Sequence, residues 1–185
     1  GRAELGIHPN FLPGSTQGEG IEGVLDHVFD LVPRPVASRS HCFYDESHVA
    51  RALARRGIAV DSNMCCHLQP GLPVLELWNG VRRLPVFFED DVHWGQPWAF
   101  ETCRAAFASP GLKVLNFHPF LWALNVPDAQ FYAAHRRHIP TLDADQAHAM
   151  RHPGPGGATF LDEVIRFVRE GGGEFVTLSQ LCEIL

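Results

Sequence analysis

Val86-Phe87-Phe88-Glu89-Asp90-Asp91 sets an unbroken apolar run directly against three carboxylates. A run this short with no polar residue inside it is what a strand buried on both faces requires, and such strands belong to parallel sheets covered by helices. In sheets of that kind ligands gather at the C-terminal ends of the strands. The acidic triplet stands at such an end.

The same pattern recurs on both sides of this run. Downstream, a helix expected over residues 98–108 and the turn Ser109-Pro110-Gly111 lead to an apolar strand over 112–117 that stops at His118-Pro119. Upstream, strands over 74–78 and 81–84 flank Asn79-Gly80, a dipeptide suited to a tight hairpin turn. A strand over 58–60 ends at Asp61, and before it Asp45 can cap a helix carrying Val49 and Leu53 that closes at Gly57. A strand over 36–41 ends at His41. Ile21, Val24, Leu25, Val28, Phe29 and Val32 form one helical face closed by Pro33 and Pro35. First in order, the alternation of Ala3, Leu5 and Ile7 reads as a strand ending at His8, where Pro9 stops the ladder.

Past His118 the periodicity weakens. Residues 120–158 read as an irregular surface excursion with one short helix around 129–137. Thr159-Phe160-Leu161-Asp162 resembles a capping box opening a helix that buries Phe160, Leu161, Val164, Ile165 and Val168 and ends at Gly171 to Gly173. Phe175-Val176-Thr177-Leu178 reads as a last strand, with Ser179 capping a closing helix over 180–185. Strands alternating with helices, with one hairpin inserted, predict an α/β fold with a mainly parallel sheet.

Composition narrows the function classes. The length of 185 residues suits one domain over 1–185. A net charge of −6 with scattered Arg excludes the basic stripe that nucleic acid needs. No apolar run approaches the roughly 20 residues needed to span a bilayer, and the opening Gly1-Arg2-Ala3-Glu4 lacks a signal-peptide layout. The five cysteines form no Cys-x-x-Cys pair, so reduced thiols in a soluble, cytoplasmic protein are expected.

His8, His41, Asp61, Glu89-Asp90-Asp91 and His118 all fall at expected strand ends. Imidazoles and carboxylates together suit a divalent metal, zinc first, which activates water for hydrolysis. A histidine beside the substrate could donate a proton to the leaving group, a carboxylate could accept one from water, and Arg39 could orient that carboxylate. The same residues could also be solvated strand ends, with Arg39 pairing a surface carboxylate. Cys65-Cys66-His67 reads as structural, because neighbours on an extended segment point to opposite faces. His135, His138, His148 and His152 match no ligand spacing. Trp94, beside the acidic run, is the tryptophan expected to meet a sugar ring.

At these residues a family resemblance appears. Glu4-Leu5-Gly6-Ile7-His8 resembles the segment carrying the first metal-binding histidine of the polysaccharide deacetylase superfamily, the NodB-like carbohydrate esterases. Arg39-Ser40-His41 resembles the arginine motif that follows it. The strand ending in His118 is similar to the motif bearing their general acid, and residues 160–178 to their closing helix, glycine turn and Phe-Val-Thr-Leu segment. His8-Pro9-Asn10-Phe11 matches a divergent, WbmS-like branch, with Leu12 where the common pattern has a second histidine.

The resemblance implies a distorted (β/α) barrel acting on an acylated sugar or glycan, with a divalent metal, Zn2+ foremost. His8 is then a metal ligand, His41 the candidate replacing the second histidine, His118 the general acid and Arg39 a catalytic residue. From their place at the strand end, Asp90 is expected as a further ligand and Asp91 as a catalytic carboxylate if these two stand in for the family's Asp pair, and Glu89, Trp94 and Asn10 are expected to face the substrate. The family's first strand carries paired Asp residues, and no such strand precedes Gly1. Three readings follow: the first strand and helix are lost, an N-terminal partner or oligomer supplies them, or Asp90 and Asp91 have taken over their roles. A non-catalytic carbohydrate-binding module or decayed deacetylase is the alternative from another class, and a fragment needing an N-terminal partner is a third.

Overall fold

A computed structural model describes residues 3–184. The chain forms two compact units from interleaved stretches. The first takes the residues up to Cys65, Leu72–Val86 and the stretch from Phe175, and the second takes Cys66–Gly71 and Phe87–Glu174.

In the first unit, α1 (Gly20–Leu31) and α2 (Ser47–Arg55) form where the three-and-four spacing placed them. They bury Leu25, Val28, Val49, Ala52 and Leu53 with Ile7 and Ile58. Gly57, at φ +85°, closes α2 in the left-handed conformation expected of it. The strands are short. β1 (Val60–Asp61) pairs in parallel with β3 (Arg82–Arg83), which pairs antiparallel with β2 (Leu75–Glu76) to complete the hairpin. Asp61 also bridges Ser38 in parallel, and Ser38 bridges Ile7 in parallel. The strands expected over 3–8 and 36–41 thus reduce to single bridge residues within extended chain.

Three caps differ from expectation. Asp45 does not cap α2; Glu46 holds the N-cap position and makes no side-chain bond there. Arg83, only 5 % exposed, forks onto both Asp61 oxygens at 2.7 and 2.8 Å, and its remaining nitrogen takes Asp45 at 2.7 Å. A buried guanidinium without its anions costs about 3–5 kcal/mol, whereas a cap contributes about 1 kcal/mol. The ion pair wins.

The second difference is at the closing segment. Residues 175–178 form no strand, and Phe175 and Val176 are exposed. The last helix spans Leu178–Ile184, so part of the expected span, Leu185, lies outside the described residues. Thr177, not Ser179, caps it, in a reciprocal pair with Gln180. The Ser179 amide instead donates to the Glu4 carboxylate at 3.1 Å.

The second unit holds β4 (Val86–Glu89) except its first residue, which belongs to the first unit, and β4 pairs with β5 (Val114–Asn116). Phe87 and Phe88 are fully buried, as the unbroken run requires, and Phe88 stacks on Phe160 at 4.9 Å. The helix expected over 98–108 is a 3-10 turn, Phe100–Thr102, followed by α3 (Arg104–Ala108). Residues 120–158 are largely helical rather than irregular: α4 (Pro119–Leu124), α5 (Ala129–His135) and α6 (Ala144–Met150) follow one another. Each is too short to show an amphipathic period. Local devices start them instead: Pro119 in the first turn of α4, and Asp128 and Asp143 as N-caps of α5 and α6.

The last helix of this unit, α7 (Gly157–Glu170), begins before Thr159. Its cap comes from a distance, because Asn125 Oδ1 accepts the amides of Ala158 and Thr159 at 3.0 and 3.2 Å. Thr159 sits one turn in, its hydroxyl accepting from the Gly156 amide. A Cβ at Gly156 would collide with the Asn125 carbonyl oxygen, so only glycine allows this approach. Among the described residues no helix is long and apolar enough to cross a membrane. No disulfide links the five cysteines.

Candidate functional site

In the first unit, backbone pairing sets His8 beside His41. The Ile7 amide donates to Ala37, the Arg39 amide to Ile7 and the His41 amide to Pro9, at 2.9, 3.1 and 2.8 Å. Because the two segments run in parallel, both histidines emerge at the same end, their rings edge-on with centroids 5.6 Å apart. Cys42 and Phe43 follow at φ 54° and 52°. The left-handed region costs a side-chain-bearing residue about 1–2 kcal/mol, and strain of this kind clusters at functional sites. Asn63 brackets the strained turn, its Oδ1 accepting from the Ser40 amide at 3.1 Å and its Nδ2 donating to the Tyr44 carbonyl at 2.7 Å. Arg39 is half-buried. Asn10 turns its side chain back on its own loop, accepting from the Leu12 amide. It lines a cavity of about 400 Å³ with Phe11, Leu12, Ile21 and Tyr44.

In the second unit, β4 and β5 bring Glu89, Asp90, Asp91 and His118 together, each offering a ligand atom within 4.8 Å of the others. Asp90 is 1 % exposed and committed to His118. Its Oδ1 lies 2.6 Å from His118 Nδ1, and its Oδ2 accepts the His118 amide at 2.8 Å. A carboxylate can only accept, so Nδ1 carries the proton and Nε2 is the nitrogen left to exchange one. The hydrogen bond to Asp90 raises the His118 pKa; burial opposes the shift, and the charges of Asp90, Asp91 and Glu89 reinforce it. Glu89, also buried, accepts from Asn116 Nδ2 at 2.5 Å, and its other oxygen lies 3.9 Å from His118 Nε2. Three carboxylates facing one imidazole leave an excess of negative charge. That donor set fits a divalent cation.

The remaining candidates separate. Asp61 is neutralised by Arg83 and has a structural role. Trp94 packs its indole against Tyr132 with its Nε1 buried, while Trp78 and Trp122 are the more exposed tryptophans. His67, read as structural, is half-buried and belongs to a relay that ends at the fully buried His93. The Glu89 amide donates to His67 Nδ1 at 3.4 Å, His67 Nε2 lies 3.1 Å from His93 Nδ1, and His93 Nε2 lies 3.2 Å from the Pro97 carbonyl. With an amide donor at one end and a carbonyl acceptor at the other, the chain of bonds runs through neutral rings protonated at Nε2. Burial, with the His93 ring beside it, lowers the His67 pKa to about 4, and burial lowers that of His93.

Asn116, Asn63 and His93 were given no site role from the sequence. Asn116 had a signal, because it stands two residues before His118 on the same strand and so on the same face. Asn63 and His93 act through partners distant in sequence and had none.

A family model described as WbmS-like polysaccharide deacetylase matches residues 1–136. Among solved structures, the chain is similar to WbmS of Bordetella bronchiseptica, described as a candidate polysaccharide deacetylase involved in O-antigen biosynthesis. The two share 27 % identity with a TM-score of 0.78, over 88 % of this chain and 69 % of that one. No curated protein matches the chain.

Proposed function

The chain belongs to the WbmS-like polysaccharide deacetylase family, and from that premise we propose that it hydrolyses an acyl amide, N-acetyl in the first instance, on a sugar or glycan. The observation that carries this reading is the His118–Asp90 pair, in which a buried carboxylate holds Nδ1 at 2.6 Å and raises the imidazole pKa. A histidine so held keeps a proton on Nε2 to higher pH than a solvated imidazole and can give it to a departing nitrogen. In the balanced reaction the amide C–N bond breaks, water supplies hydroxyl to the acyl carbon, and the amine leaves protonated. Acetate and an amino sugar are the products.

His8 and His41 are proposed as metal ligands, on the strength of their shared end and edge-on rings. Asp91 is proposed as the base that takes the proton from water. Asp90 was expected as a ligand, but its oxygens serve His118 and the Asp91 amide, so its proposed role is to orient His118. When bound, a divalent ion such as zinc supplies Lewis-acid polarisation and makes water more acidic. Arg39 is proposed to orient a carboxylate, and Glu89 to stand beside His118 as a second negative charge. The distorted barrel and a single catalytic domain over 1–185 belong to this proposal as well. WbmS, with its described role in O-antigen biosynthesis, supports a surface polysaccharide or its precursor as the substrate class.

Metal content tests the ligand assignment. Elemental analysis of the purified chain after incubation with zinc should find near-stoichiometric metal, lost in the His8→Ala, His41→Ala double variant. Equal metal in both proteins would remove these histidines from the site.

A further inference from the structure

We infer that Gln17 is a positioning residue that sets the direction of the His8 imidazole, an inference that rests on the reading of His8 as a metal ligand. The segment His8-Pro9-Asn10 leaves the sheet at Pro9, which has no amide hydrogen to donate. Its polar backbone groups are satisfied from outside. Gln17 Oε1 accepts the Asn10 amide at 2.7 Å, and Gln17 Nε2 donates to the His8 carbonyl at 3.2 Å. The Pro9 carbonyl between them accepts the His41 amide at 2.8 Å.

One side-chain amide therefore grips the backbone on both sides of Pro9, and its orientation is forced, since a carbonyl requires the NH2 end and an amide hydrogen requires the oxygen. Fixing the His8 carbonyl and the Asn10 amide fixes the backbone angles around His8, and with them the direction of its Cα–Cβ bond. Gln17 is itself held in place. Its amide donates to Ser15 Oγ at 3.2 Å, and the next residue, Gly18, has φ +132° and lies so near the Gly23 backbone that a Cβ would stand 2.8 Å from it. The loop carrying Gln17 is thereby pressed against the start of α1.

Metal ligands depend on such outer contacts, whose loss typically weakens metal affinity about 10–100-fold. Gln17→Met keeps the volume and removes both bonds. Gln17→Glu keeps the acceptor for Asn10 but loses the donor to His8. In NMR spectra of the metal-free protein, ring protons of His8 and His41 should show a through-space contact that disappears in Gln17→Met and weakens in Gln17→Glu. Zinc affinity should fall about tenfold or more in Gln17→Met. If Gln17→Met does not fold, Gln17→Glu decides by the same contact. A ring contact absent from the unaltered protein, or undiminished in the folded variants, overturns the role of Gln17. An unaltered protein that takes up no zinc overturns the ligand role of His8 alone, and the ring contact still judges Gln17.

Discussion

Asp90 turns both of its oxygens to His118, one of them shared with the Asp91 amide, and that commitment decides what His118 can do. With its pKa raised, His118 is protonated in the fold over a wider pH range than a solvated imidazole. The stabilisation this brings is full below the unfolded value of about 6.5 and is lost as pH rises through the folded value. Asp90→Asn should therefore move the alkaline limb of the kcat/KM profile to lower pH and cut the rate about 10²-fold. An unmoved limb would separate Asp90 from His118. His67 runs the other way. Its pKa is lowered to about 4 by burial first, so the unfolded chain takes up a proton that the fold resists, and stability falls as pH drops from about 6.5 toward 4. The thermal midpoint should decline over that window, and by less in His67→Gln; equal declines would contradict the relay. His8, His41 and His118 were legible because each stands at the end of an expected strand and within a family-like motif. The Asp90–His118 bond was not, because 28 residues separate its partners and their meeting depends on how β4 pairs with β5.

At the scale of elements, legibility followed periodicity. The apolar spacing of α1 and α7 runs over two turns or more, α2 has Val49 and Leu53 with a closing Gly57, and each formed close to its expected span. The hairpin at Asn79-Gly80 also formed, but by a different device. Only Gly80 takes positive φ, while Asn79 accepts from the Val81 amide and donates to the Ala50 carbonyl. Helices of six or seven residues in 119–150 show no such spacing, and Phe175-Val176, apolar enough for a strand, finds no ladder among the described residues. The start of α7 depends on Asn125, which is 2 % exposed and whose Nδ2 also donates to the carbonyls of His152 and Gly154. Asn125→Ala removes the partner of four backbone groups, the buried Ala158 amide among them, and should cost about 3 kcal/mol in urea unfolding. Thr159→Ala should cost only about 1 kcal/mol. Comparable losses would place the cap in Thr159 after all.

Across the whole molecule, the family was legible in short motifs. His8-Pro9-Asn10-Phe11, Arg39-Ser40-His41 and the strand ending in His118 pointed to it, and the family match covers all three. Those residues are distributed over both units, with His8, Arg39 and His41 in the first and Glu89, Asp90, Asp91 and His118 in the second. Role assignments were harder to read than membership, because Asp90 and Asp91 are adjacent and alike in sequence but only Asp90 is committed to His118. The central claim is hydrolysis of an acylated sugar with His118 as proton donor. Its most direct test is acetate release from N-acetylglucosamine oligosaccharides by the zinc-loaded protein and by His118→Ala, with bound sugar measured in parallel. Acetate released by the unaltered protein and reduced at least about 10²-fold in a His118→Ala variant that keeps its metal is the predicted result. Equal release by both proteins, or sugar bound by the metal-loaded protein without any acetate, would contradict it.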